Sequence, residues 1–123
     1  MNTEECLKLL RQVKDVAFAT VDGFGNPQVR IIDVMHVDGE KLYFLTARGK
    51  DFYRELITTN NVSICGLTKD YQSISVQGEI KRLENQKEWV DKIFVQNPAM
   101  NAVYPKESRY VLEVFFIEKG EVE

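Results

Sequence analysis

Two short stretches place cations where they could do chemistry. In Val29-Arg30-Ile31-Ile32 an arginine interrupts an otherwise apolar run. A guanidinium there needs either a solvent-facing position or an anionic partner, because burying it unpaired is costly. In Thr46-Ala47-Arg48-Gly49-Lys50 a hydroxyl, an ammonium and the free N–H groups of a helix start fall together. That combination suits a phosphate. The same residues also read as a wet-face arginine and an ordinary helix-end lysine, and residue chemistry alone leaves the choice open.

Other chemistries lack their residues. The chain has one histidine, so no multi-histidine metal site can form. His36 lies in a strand near the Asp38-Gly39 turn and reads as a surface strand residue rather than a catalytic base. No phosphate loop of Walker or Rossmann spacing occurs, and no Gly-x-Ser-x-Gly elbow. Cys6 and Cys65 are too few for a disulfide framework or a four-ligand metal site. They read as reduced thiols of a cytoplasmic protein, with Cys65 packed in its strand. No catalytic side chain is indicated.

The elements that must position these residues follow from periodicity. Thr3 to about Lys14 reads as a helix with Thr3 as N-cap. Val16–Val21 is a short strand closed by the turn Asp22-Gly23-Phe24-Gly25-Asn26-Pro27. Gln28–Val37 is a longer strand that turns at Asp38-Gly39 into its partner Lys41–Thr46. A helix from about Lys50 to Thr59 presents Phe52, Tyr53, Leu56 and Ile57 on one side and breaks at Asn60-Asn61. Val62–Leu67 and Gln72–Leu83 are strands around a turn at Lys69-Asp70, the second with Ile74, Val76 and Ile80 on one face. Asn85 with Glu88 is a capping-box signature. The helix it opens carries Trp89, Val90, Ile93 and Phe94 as a core stripe and ends at Asn97-Pro98. The loop Asn97–Pro105 reads as a surface segment pinned by its prolines. Arg109–Ile117 is the last strand, with Tyr110, Leu112, Val114 and Phe116 on one face. These are about six strands joined mostly by hairpins, which implies an antiparallel meander or Greek-key barrel with peripheral helices.

Composition narrows the function. A length of 123 residues is one domain spanning 1–123, too short for separate cofactor and substrate halves. With 44% hydrophobic and 28% charged residues it can bury a core. A globule of this size buries only about two thirds of its unfolded surface, so a large ligand calls for a shared interface. The net charge of -3 speaks against nucleic-acid and anionic-membrane partners. No apolar run approaches the roughly 18 residues of a spanning helix. The acidic start Met1–Glu5 lacks a signal-peptide pattern.

The order of these pieces resembles the pyridoxamine 5'-phosphate oxidase-like flavoprotein superfamily. The resemblance rests on Val16-Ala17-Phe18-Ala19-Thr20-Val21-Asp22, then Asn26-Pro27-Gln28-Val29-Arg30. It continues through Leu42-Tyr43-Phe44-Leu45-Thr46 with Lys50 and Leu56, Asn60-Asn61-Val62-Ser63-Ile64 and Ile74-Ser75-Val76-Gln77-Gly78-Glu79. It implies a six-stranded antiparallel split β-barrel that forms a homodimer and binds FMN in two clefts between subunits. It assigns Arg30 to the FMN phosphate, with Thr46, Ala47 and Lys50 completing that site. The backbone of Ile31 and Ile32 would run along the isoalloxazine ring. Ser73 stands where the oxidase has a flavin-contacting glutamine. Met100 and Tyr104 would border the ring from the partner subunit.

Three departures bear on substrate. Met35 stands where the oxidase has a substrate-binding lysine, and the oxidase's carboxy-terminal Arg-x-His is missing. Gly49 stands where the nitroimidazole-reductase-like branch often has a histidine. The resemblance is thus to the small general-stress-protein-like branch, which implies a small FMN oxidoreductase with a small-molecule substrate or electron donor and not a true pyridoxamine phosphate oxidase. Relatives often continue one strand further than Glu123. The alternatives are a non-catalytic flavin carrier or sensor, a haem or deazaflavin protein on the same fold with His36 as the simplest haem ligand, and a dimeric interaction module with an empty cleft.

Overall fold

The computed structural model describes residues 2–58 and 61–122. Helix α1 (Thr3–Val13) precedes β1 (Asp15–Val21), β2 (Pro27–Asp33), β3 (His36–Asp38) and β4 (Lys41–Ala47). Helix α2 (Asp51–Thr58) leads to β5 (Asn61–Leu67) and β6 (Ser73–Arg82). Helices α3 (Gln86–Gln96) and α4 (Met100–Val103) and a 3-10 turn at Lys106–Val111 precede β7 (Leu112–Val122). Among the described residues no helix is long and apolar enough to cross a membrane. The sheet order is β2-β1-β5-β6-β7-β4-β3 with every pairing antiparallel. This is the split barrel, left open between its edge strands β2 and β3.

It has seven strands rather than six because the long second strand divides. The Val34 N–H donates to Lys14 O at 2.8 Å, whereas the Met35 N–H donates to Tyr43 O at 3.0 Å. Adjacent residues thus bond to different elements, the end of α1 and β4, and the chain changes partners between them. Strand alternation then builds two cores. Leu42 and Phe44 of β4 with Phe115 and Ile117 of β7 face a core shared with Phe18, Ile64, Val76, Leu7 and Leu10. Tyr43 and Ala47 with Leu112, Val114 and Phe116 face a second core closed by Val90, Ile93 and Phe94 of α3.

Several boundaries move. Asn2, not Thr3, caps α1: its Oδ1 accepts the Glu5 N–H at 2.8 Å. Asn85 makes no side-chain cap and instead donates to Glu88 Oε2 at 3.0 Å. Tyr110 belongs to the 3-10 turn, from which it packs against the face that Leu112, Val114 and Phe116 do share. On α2 the buried residues are Phe52, Glu55 and Leu56, while Ile57 is exposed, so the helix is rotated from the expected stripe. The expected helix end at Thr59 and break at Asn60 lie outside the described residues.

Candidate functional site

The β4–α2 connection is shaped by Gly49, whose φ of +92° falls where side chains are disfavoured. It lets the chain turn tightly, with the Lys50 N–H donating to Ala47 O at 3.4 Å, before α2 starts. Lys50 thereby reaches a cleft of about 310 Å³. Ile31 and Ile32 form one wall, Thr46, Ala47 and Leu45 another, and Phe52, Met100 and Tyr104 complete it. Of the eight residues picked from sequence, the fold brings six together here: Ile31, Ile32, Thr46, Ala47, Lys50 and Tyr104. Met100 and Tyr104 line the cleft of their own chain, carried there by α4, which the sequence reading treated as loop.

The arrangement fits a ligand with a flat apolar part and an anionic end. The aliphatic and aromatic side chains supply apolar walls, and the Lys50 ammonium supplies a cation. At about 310 Å³ the cleft is at the bottom of the usual ligand range of roughly 300–1,000 Å³.

Arg30 and Ser73 are not among the cleft residues. Arg30 has the anionic partner that its apolar setting demanded: its guanidinium lies 2.8 Å from Glu55 Oε1. Ser73 is exposed on β6, with its Oγ 3.5 Å from Cys65 Sγ. Hydrogen bonds from Ser73 and Ser75 draw the Cys65 thiol below its ordinary pKa. Cys65 is exposed, not packed in the core. His36 borders a different recess with Lys8, Arg11 and Gln96, and its ring is 5.1 Å from Tyr43 and 6.0 Å from Trp89. Arg48 is tied to β7, donating to Tyr110 O at 2.8 Å and lying 3.6 Å from the buried Glu113.

The sequence reading missed Asp33, which joins the cleft lining and stands directly opposite Asp15 across β1 and β2. A hydrogen bond that the protonated Asp33 carboxyl donates to Asp15, then burial and the Asp15 charge, hold its pKa above the ordinary value. The signal was present in the equal offsets of the two aspartates from the β1–β2 turn. Glu55 was missed because helical spacing alone did not fix which side of α2 faces inward.

The family model for pyridoxamine 5'-phosphate oxidase matches residues 2–116. The chain belongs to this family. No functionally curated protein matches its sequence. Among solved structures, a nimC/nimA family protein from Clostridium acetobutylicum superposes with a TM-score of 0.81 at 21% identity, over 98% of this chain and 82% of that one. An F420 reductase gives 0.75 at 19% identity, over 94% of each chain. A FAD-binding protein from Mesorhizobium loti gives 0.72 at 18% identity, over 99% of this chain and 92% of that one. At these identities the likenesses establish a shared pyridoxamine 5'-phosphate oxidase fold.

Proposed function

We propose that this member of the pyridoxamine 5'-phosphate oxidase family is an FMN-binding homodimer that acts as a small oxidoreductase on a substrate other than pyridoxamine phosphate. The observation that carries the reading is the meeting of Lys50 and the Thr46–Gly49 turn with the apolar walls of Ile31, Ile32 and Tyr104 in one open cleft. The Lys50 ammonium would hold the phosphate, and the backbone of Ile31 and Ile32 would support the ring. Phe52, Leu45 and Leu112 would keep water from its faces. A bound flavin would supply the redox chemistry by accepting and passing on hydride or electrons. An FAD-binding protein and an F420 reductase on the same fold support a ligand of the flavin type.

The dimer reading is supported by the outer face of the sheet. Register aligns Ile31 with Ala17, Ala17 with Cys65 and Cys65 with Ser75, and a parallel row runs through Val29, Ala19, Ser63 and Gln77. Small side chains make this face flat, while Val29 and Ile31 on the edge strand are 69% and 67% exposed. An exposed apolar edge of this kind calls for a cover. A second copy seated there would bring a further wall to each cleft, and Ser73 with it.

The test is an FMN titration of wild type, Lys50→Ala and Ile31→Asp, with mass measured by light scattering. Lys50→Ala should weaken FMN binding about tenfold or more. Ile31→Asp should yield monomers that lose FMN. Unchanged affinity in Lys50→Ala would remove the phosphate assignment, and a monomeric wild type with full affinity would remove the shared cleft.

A further inference from the structure

Arg30, the cation that the family resemblance assigns to the phosphate, is engaged at both Nη atoms and over the face of its guanidinium. One Nη donates to Glu55 Oε1 at 2.8 Å and the other to Thr20 Oγ1 at 3.0 Å. The Thr20 hydroxyl donates to that same Glu55 oxygen at 2.5 Å. Thr20 and Glu55 are buried, at 3% and 8% exposure. The guanidinium also lies over the Phe52 ring, 4.4 Å from its centroid. Phe52 also lines the cleft, so Arg30 and the cleft share this aromatic residue as a neighbour. Arg30 itself borders a neighbouring recess with Asp22, Gln28, Asp51 and Arg54.

A carboxylate and a phosphate compete for one guanidinium, since both present oxygen pairs that match its fork. Here the carboxylate is covalently part of the chain, partly desolvated and buttressed by Thr20, which strengthens its claim. We propose that Glu55 is a specificity-determining residue of the cleft: it withholds the charge of Arg30, so that among the described lining residues of one chain Lys50 is the cation left to attract an anionic cofactor tail. This rests on the flavin reading of the cleft and adds to it. The chain would then distinguish FMN from riboflavin, which lacks the phosphate, by less than two cations would allow. Asp33, also in the lining, lowers the cationic character of the cleft further.

The experiment measures FMN and riboflavin dissociation constants side by side for wild type, Glu55→Gln and Arg30→Gln/Glu55→Gln, with the thermal midpoint of each variant. Glutamine keeps an acceptor for Thr20 and Arg30 while removing the charge. In Glu55→Gln the preference for FMN over riboflavin should rise about tenfold through tighter FMN binding, with riboflavin unchanged. The double variant should return to the wild-type preference. An unchanged preference in a folded Glu55→Gln overturns the proposal. If Glu55→Gln does not fold, Glu55→Ala read in the same way decides: a preference about tenfold higher supports the proposal, and an unchanged preference overturns it. Failure of the wild type to bind either ligand would instead overturn the flavin reading, and this proposal with it.

Discussion

Gly66 lies so close beneath Leu10 that a Cβ built on it would fall 2.6 Å from Leu10 Cδ2 and 3.2 Å from Val16 Cγ1. Leu10 is fully buried, so this is the point at which α1 docks on β5. A methyl group there has no free volume and must displace packed side chains. Gly66→Ala should therefore destabilise the protein by about 1–3 kcal/mol, measured by denaturant unfolding. Leu10→Val in the same background, by shortening the opposing side chain, should recover part of that loss. An unchanged midpoint for Gly66→Ala would contradict the described docking of α1.

His36 should make stability depend on pH. Burial, followed by the Lys92 charge, lowers its pKa from the ordinary 6.5 against the opposing pull of Asp38 and Gln96. The folded state thus favours the neutral ring. Its contribution is complete above pH 6.5 and is lost as pH falls through that value toward the folded pKa. Relative to His36→Gln, wild type should lose thermal stability over that interval. Trp89 is the only tryptophan and its ring lies 6.0 Å from His36, so its fluorescence should report the same titration. A fluorescence profile identical in His36→Gln would contradict this.

The sign is opposite for an acid whose pKa is raised. Asp33 prefers to be protonated in the folded state, so the stability it contributes is present below 3.8 and lost as pH rises through its folded value. At neutral pH the folded chain carries a charge that it disfavours. Asp33→Asn should then raise the melting temperature at neutral pH. The gain should vanish in acid below 3.8. A neutral-pH variant less stable than wild type would show that the carboxylate is held by partners stronger than Asp15 is repulsive.

The lysine, the turn before it and the apolar strand beside it were legible in sequence because each is a local matter. Gly49 marks the turn, Lys50 opens the helix, and Ile31-Ile32 is a contiguous pair. The register that sets Asp15 opposite Asp33 could be counted only once the β1–β2 hairpin was known to be regular. The pairing of Arg30 with Glu55 was not legible, since it depends on the rotation of α2. Phe52, Tyr53, Leu56 and Ile57 suggested one inward side, and packing on Phe18 and Phe44 selected another, with Phe52 5.0 Å from Phe18. The division of the second strand was hidden as well. Val34 and Met35 are both apolar in an apolar run, and the change of partner from Lys14 at the end of α1 to Tyr43 of β4 separates β2 from β3.

The most direct measurement is the visible absorption of FMN as purified protein is added. A cleft that seats the isoalloxazine ring between Ile31, Ile32 and Tyr104 removes it from water, so its long-wavelength band should shift and sharpen. The change should saturate at one FMN per chain and weaken in Lys50→Ala. An FMN spectrum that stays as in buffer at a large excess of folded protein would contradict the account.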